Sequence, residues 1–161
     1  EGVIHLVDYG YVAPRDPIVA ASLIQDDKLE TISKLRNRNL QFEIEQLRIL
    51  LSDVKRSYAL NKCPKWIIIA VNKVDLFADQ RDAALKYYHP QGFSEFSSTL
   101  RNFQNEIGST NISIYVVQSS AYELDFEWNG EKSRSLLERQ EQNSILLEFT
   151  QALAAIMENH Q

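Results

Sequence analysis

The chain is predicted to fold as an α/β domain, a three-layer sandwich built on a mainly parallel sheet. Three short runs, 3–8, 66–72 and 112–118, are apolar almost without interruption, as expected of parallel strands that are buried on both faces. Segments of helical periodicity separate these runs, and this alternation favours parallel pairing. With 161 residues, 44% of them hydrophobic, the chain has the size and composition of one globular domain.

A long helix is predicted between the first two strands. Apolar residues recur there at three- and four-residue steps, which place them on one stripe of a helix. The members of this stripe are Leu40, Ile44, Leu47, Leu51, Val54 and Tyr58.

The second half of the chain contains three further predicted helices and a hairpin. Helices are expected at about 79–88 and 94–107, because the His-Pro-Gln-Gly sequence at 89–92 resists helix continuation and Gly108 can cap the second helix. Asn129-Gly130 predicts a hairpin over 126–131. The tail, 133–159, has helical periodicity, with an apolar face formed by Leu146, Phe149, Leu153 and Ile156.

Composition excludes several classes of function. The net charge of -5 and the pI near 5.2 argue against nucleic acid or an anionic membrane as the main partner. Cys63 is the only cysteine, so no internal disulfide can form, and a zinc site lacks companion ligands. No apolar stretch approaches the roughly 20 residues that span a bilayer. We therefore expect a cytoplasmic protein, and the strand that opens directly after Glu1, without a methionine, leads us to expect a piece of a longer polypeptide.

The tetrapeptide Asn72-Lys73-Val74-Asp75 directly follows the second predicted strand. It resembles the Asn-Lys-x-Asp motif with which GTPases recognise guanine. In that role Asp75 accepts hydrogen bonds from N1–H and the exocyclic amino group of guanine, a donor pair that adenine lacks. Asn72 would brace the loop, while Lys73 would lay its stem over the base and extend its ammonium group towards the phosphate loop. The structural alternative is an ordinary strand exit, since Asn and Asp favour turns.

Two further elements resemble GTPase motifs. Ser119-Ser120-Ala121 ends the third strand and resembles the Ser-Ala motif, in which the Ala121 N–H would meet guanine O6 while Ser120 supports the loop. Asp8-Tyr9-Gly10 ends the first strand and resembles Asp-x-x-Gly, with the glycine one residue early. This resemblance implies that Asp8 holds Mg²⁺; the alternative is that Asp8 caps a turn.

In this order the three elements resemble the last three motifs of the P-loop GTPase superfamily, broadly Ras-like. The resemblance implies a P-loop NTPase-like fold whose phosphate-loop half is absent, because no Gly-x-x-x-x-Gly-Lys-Ser/Thr sequence occurs and there are only 5 glycines. In this family the strand that leads into the phosphate loop lies between the strands represented here by 3–8 and 66–72. We therefore expect a gap between these two strands, to be filled by an upstream phosphate-loop segment of the same protein.

The resemblance implies guanine-nucleotide binding, with GTP or GDP and Mg²⁺ as ligands. A complete parent protein would hydrolyse GTP and switch the binding of an effector or regulatory protein. An alternative is a degenerate interaction module that keeps the fold without hydrolysing nucleotide, and a third is an unrelated α/β domain. Trp128, in the predicted hairpin, could contact the base or a partner, or pack in the core.

Overall fold

The computed structural model describes residues 1–62, 64–120 and 125–160, and it confirms the α/β prediction. Three parallel strands, β1 (Gly2–Val7), β2 (Trp66–Val71) and β3 (Ser113–Gln118), form one sheet in the order β1-β2-β3. Each predicted strand is confirmed to within one residue at either end. β2 is buried along its whole length, in agreement with its uninterrupted apolar sequence.

Two helices connect β1 to β2. The predicted stripe lies in α2 (Ile32–Ala59), where Thr31 caps the first turn by accepting a hydrogen bond from the Lys34 N–H. α1 (Pro17–Gln25) was not predicted from the sequence. Its N-terminus is fixed by the Asp16 side chain, which accepts from the Ile18 N–H, and by proline at the first helical position.

The helices after β2 agree with the predicted periodicity but differ at their starts. A 3₁₀ segment (Val74–Gln80) leads into α3 (Arg81–Tyr88). The helix predicted at 79–88 therefore begins two residues later than expected. α4 (Glu95–Ile107) ends at Gly108, as expected. α5 (Arg139–Asn159) begins later than the predicted 133, because a short strand and a loop precede it.

Helices cover both faces of the sheet, which gives the predicted three layers. Alternate residues of β2 contribute to different cores: Ile67 and Ile69 pack with α2, α3 and α4, whereas Ile68 packs with α5. Three of the four residues expected on the apolar face of α5, Phe149, Leu153 and Ile156, pack on the sheet. Leu146 is 44% exposed and does not belong to this core.

The expectation of a gap between the first two strands is wrong. β1 and β2 pair directly, in register from Gly2 opposite Trp66 to Val7 opposite Val71. An inserted strand would have to break this whole ladder. The sequence pattern could not exclude direct pairing of β1 with β2. A buried strand needs a neighbour on each edge, but its residues do not specify which segment of the chain supplies that neighbour.

The predicted hairpin is confirmed as β4 (Phe126–Trp128) and β5 (Glu131–Ser133). Asn129 and Gly130 both have left-handed φ values, 45° and 81°, as a two-residue hairpin turn requires. Trp128 is buried against α1 and α2, and its Nε1–H donates to the Leu29 carbonyl at 2.6 Å. The packing interpretation of Trp128 is therefore confirmed. In the described parts of the chain, every helix is too short or too polar to cross a membrane.

Candidate functional site

The sheet brings the three predicted motifs to one edge. Val7, Val71 and Gln118 are register partners at the carboxyl ends of β1, β2 and β3. Asp8, Asn72 and Ser119 follow them directly, and the Ser119 N–H donates to the Val71 carbonyl at 2.7 Å. The carboxyl edge of a parallel sheet is where open α/β folds bind ligands.

Asp75 lies at the centre of this edge and is completely buried. The chain turns sharply to place it there: Lys73 has a left-handed φ of 57°, and the 3₁₀ segment begins at the next residue. The Ser120 hydroxyl donates to Asp75 Oδ1 at 3.1 Å. Asp75 Oδ2 is buried and has no hydrogen-bond partner among the residues that the structure describes. A buried carboxylate oxygen without a donor is energetically costly, so this atom is available to a ligand that brings N–H groups.

The main chain of Asp75 is held by the segment that precedes α5. The Leu136 N–H donates to the Asp75 carbonyl at 2.7 Å. This segment is in turn held by Gln142, whose Nε2 donates to Ser135 Oγ at 3.0 Å. Because the Asp75 side chain is buried, a ligand reaches it only when the covering chain moves.

Asn72 and Lys73 join the ends of β1 and β2. Asn72 Nδ2 donates to Asp8 Oδ1 at 3.0 Å, and Lys73 Nζ donates to the Tyr11 carbonyl at 2.7 Å. Lys73 Nζ also lies 3.8 Å from Asp8 Oδ2. The ammonium group therefore extends along the edge towards the loop that follows β1.

The surroundings of Asp8 do not suit Mg²⁺. The carboxylate faces an amide donor and an ammonium group, which occupy the positions that a cation would need. Mg²⁺ prefers an octahedral shell of oxygen atoms, and the described residues contain no group of three His, Cys, Asp or Glu side chains that could hold a metal. Asp8 here fixes Asn72 and Lys73 rather than presenting free oxygens.

The loop after β1 is held by three polar residues of α2 that the sequence prediction missed. Arg36 Nε donates to the Tyr9 carbonyl at 3.3 Å, and Asn39 Nδ2 donates to the carbonyls of Gly10 and Val12 at 2.9 and 2.7 Å. The third residue, Glu43, accepts backbone N–H groups of the same loop. The steps of three and four residues between Arg36, Asn39 and Glu43 place them on one face of α2, and this spacing was the signal available in the sequence.

Glu43 is a largely buried acid of α2 beside this edge. Its Oε1 accepts the N–H groups of Asp8 and Gly10 at 3.2 and 3.1 Å, and its Oε2 accepts the Tyr88 hydroxyl. Burial raises the pKa of Glu43 above its ordinary value, although these hydrogen bonds act in the opposite direction. Burial, followed by the charge of Glu43, raises the pKa of Tyr88.

One predicted site residue falls outside the described residues, and the structure shows a groove that was not predicted. Ala121 falls outside the described residues, so its N–H cannot be placed. A surface groove lined by Leu51, Lys55 and Phe103 runs between α2 and α4, on a different part of the molecule from the buried Asp75.

Comparison with protein-family models, with curated proteins and with solved structures finds no match to this chain.

Proposed function

We propose that this domain binds guanine nucleotides by accepting hydrogen bonds from the guanine base at Asp75, in a P-loop NTPase-like fold related to the GTPases but without a phosphate-loop strand between β1 and β2. The observation that carries the proposal is the buried Oδ2 of Asp75, which has no hydrogen-bond partner within residues 1–62, 64–120 and 125–160. Guanine presents two N–H donors on one edge, at N1 and at the exocyclic amino group. Hydrogen bonds to a charged acceptor contribute about 1.5–3 kcal/mol each, so this pair would discriminate strongly against adenine.

The neighbouring residues support this assignment of roles. Ser120 holds Oδ1 and so orients the carboxylate plane. Lys73 reaches from the turn after β2 to the loop after β1, where its Nζ donates to the Tyr11 carbonyl, and its aliphatic stem would cover the base. Asn72 ties the loop to the end of β1 through Asp8.

We propose binding without hydrolysis. Phosphoryl transfer requires a phosphate loop and Mg²⁺, and the direct pairing of β1 with β2 leaves no position between them for an added phosphate-loop strand. The fit of Asp8 to Mg²⁺ is also poor. These observations favour the non-hydrolysing alternative over a GTPase with Mg²⁺ as its cofactor.

A second candidate is an interaction module that binds no nucleotide. The complete burial of Asp75 and the contact from Leu136 favour it. In that case Asp75 and Ser120 would serve only to hold the turn after β2.

Base preference in the variant Asp75→Asn distinguishes the two candidates. The amide NH₂ donates where the carboxylate accepted, so it suits the C2 carbonyl of xanthine. We expect the affinity for GDP to fall at least about tenfold and the affinity for xanthosine diphosphate to rise. The matched control is Asp79→Asn, an exposed residue of the same 3₁₀ segment, which should leave both affinities unchanged. An unchanged preference in a folded Asp75→Asn protein, measured by calorimetric titration, would reject guanine recognition.

A further inference from the structure

The backbone of the loop after β1 forms an anion-binding concavity. Tyr9 and Gly10 both have left-handed φ values, 50° and 79°. As a result, the N–H groups of Asp8 and Gly10 converge on a single acceptor, the Glu43 Oε1. Convergent N–H groups at alternate residues of such a turn are a general device for holding anions, phosphate oxygens among them.

The concavity is filled by the protein's own carboxylate. Glu43 is held there by the Tyr88 hydroxyl on its other oxygen. Arg36 and Asn39 donate to carbonyls of the same loop, so α2 holds both N–H and C=O groups of this loop. The next two N–H groups are also used, because Tyr11 donates to the Asp8 carbonyl and Val12 to the Gly10 carbonyl.

The charged groups at this loop are already engaged: Arg36 donates to the Tyr9 carbonyl, Lys73 lies near Asp8, and Glu43 accepts the loop N–H groups. Asp8 adds a second carboxylate close enough to raise the pKa of Glu43 through its charge. The nearest ammonium group, on Lys73, already donates to the Tyr11 carbonyl. A phosphate approaching the concavity would therefore meet the Glu43 carboxylate and N–H groups that are already bonded to it.

We infer that Glu43 takes the place of a phosphate group and restricts the ligand to the guanine base and its sugar, so that phosphates add nothing to affinity. This inference rests on the proposed function, because it names the class of ligand for the same edge. It predicts a site that treats guanosine, GMP and GDP alike.

The first test compares ligands on the wild-type protein by calorimetric titration. Guanosine and GDP should bind with affinities within about threefold of each other, with or without Mg²⁺. A GDP affinity more than tenfold above that of guanosine would overturn the inference.

In the variant Glu43→Ala, the vacated N–H groups and the lost charge should favour GDP over guanosine by about tenfold. The matched control is Glu45→Ala, an exposed position on α2, which should keep the wild-type ratio.

A second measurement keeps the two proposals separable. Pyrophosphate is titrated while the amide resonances of Asp8 and Gly10 are followed by NMR. These resonances should stay unchanged in the wild-type protein and shift in Glu43→Ala; a saturable shift in the wild type would overturn the role of Glu43. Failure of guanosine and GDP to bind would instead reject the guanine site at Asp75, and with it the ligand class assigned here, while the pyrophosphate result still decides what Glu43 does.

The variant Glu43→Gln covers the case in which Glu43→Ala does not fold. Its side-chain oxygen still accepts the two N–H groups, but the negative charge is gone. We expect the preference for GDP over guanosine to rise two- to tenfold from the lost repulsion. An unchanged ratio would contradict the electrostatic part of the inference.

Discussion

Replacing Asn39 by alanine tests whether α2 holds the loop after β1. Asn39 is 7% exposed, and its Nδ2 donates two hydrogen bonds, to the Gly10 and Val12 carbonyls. A hydrogen bond contributes about 0.5–1.5 kcal/mol net, so losing both should lower the free energy of unfolding by about 1–3 kcal/mol. Val12 is 44% exposed and its carbonyl can bond to water, whereas Gly10 is buried. The loss should therefore arise mainly at Gly10.

The assay is urea unfolding followed by circular dichroism, with Asn37→Ala as the matched control. Asn37 is exposed on the same helix, so both variants gain the same helix propensity and their difference isolates the hydrogen bonds. We expect Asn39→Ala to be less stable than Asn37→Ala by at least about 1 kcal/mol. Equal stabilities would refute the argument that Asn39 fixes the loop.

Three further predictions concern positions around the core. In urea unfolding, Gly10→Ala should lower the free energy of unfolding by at least about 1 kcal/mol more than Gly130→Ala does. Both glycines have left-handed φ values, but of the two only Gly10 would bring a Cβ against backbone, 2.7 Å from the Arg36 carbonyl oxygen. Equal losses of stability would contradict this close approach. Burial lowers the pKa of His5 below its ordinary 6.5, so the contribution of neutral His5 to stability is present above pH 6.5 and is lost as the pH falls through the lowered pKa. The free energy of unfolding should change by at most about 1.4 kcal/mol per pH unit in this range. His5→Leu should reduce this slope, and an identical pH profile of the variant would contradict the role of His5. Trp128→Phe should lower the free energy of unfolding by about 1 kcal/mol, because the Leu29 carbonyl loses its indole N–H donor. An unchanged melting temperature would show that this hydrogen bond does not stabilise the fold.

Local patterns predicted the elements well because each pattern reports a local physical requirement. The uninterrupted apolar runs located β1, β2 and β3, and Asn129-Gly130 located the hairpin. α1 was missed because its Asp16-Pro17 start is short and lies in a segment without strong periodicity. The late start of α5 follows from the hairpin, whose second strand ends at Ser133.

Local sequence patterns could not predict the order of the strands or the contacts by which α2 holds the loop after β1. Which strand pairs with β2 depends on contacts between residues far apart in sequence. The resemblance to GTPases therefore led to the wrong expectation of a gap beside β1. Glu43 lies 35 residues from Asp8, and it looks like an ordinary charged residue of an amphipathic helix. The convergence of Asp8, Asn72 and Ser120 at one edge could be predicted, because parallel strands end on the same side.

The most direct measurement is a crystal structure of the protein grown with guanosine. The account predicts the base at the carboxyl edge of the sheet, with its N1 and its exocyclic amino nitrogen about 2.7–3.0 Å from the Asp75 carboxylate oxygens. Guanosine bound elsewhere, or an Asp75 carboxylate that stays covered while the nucleoside is bound, would contradict it.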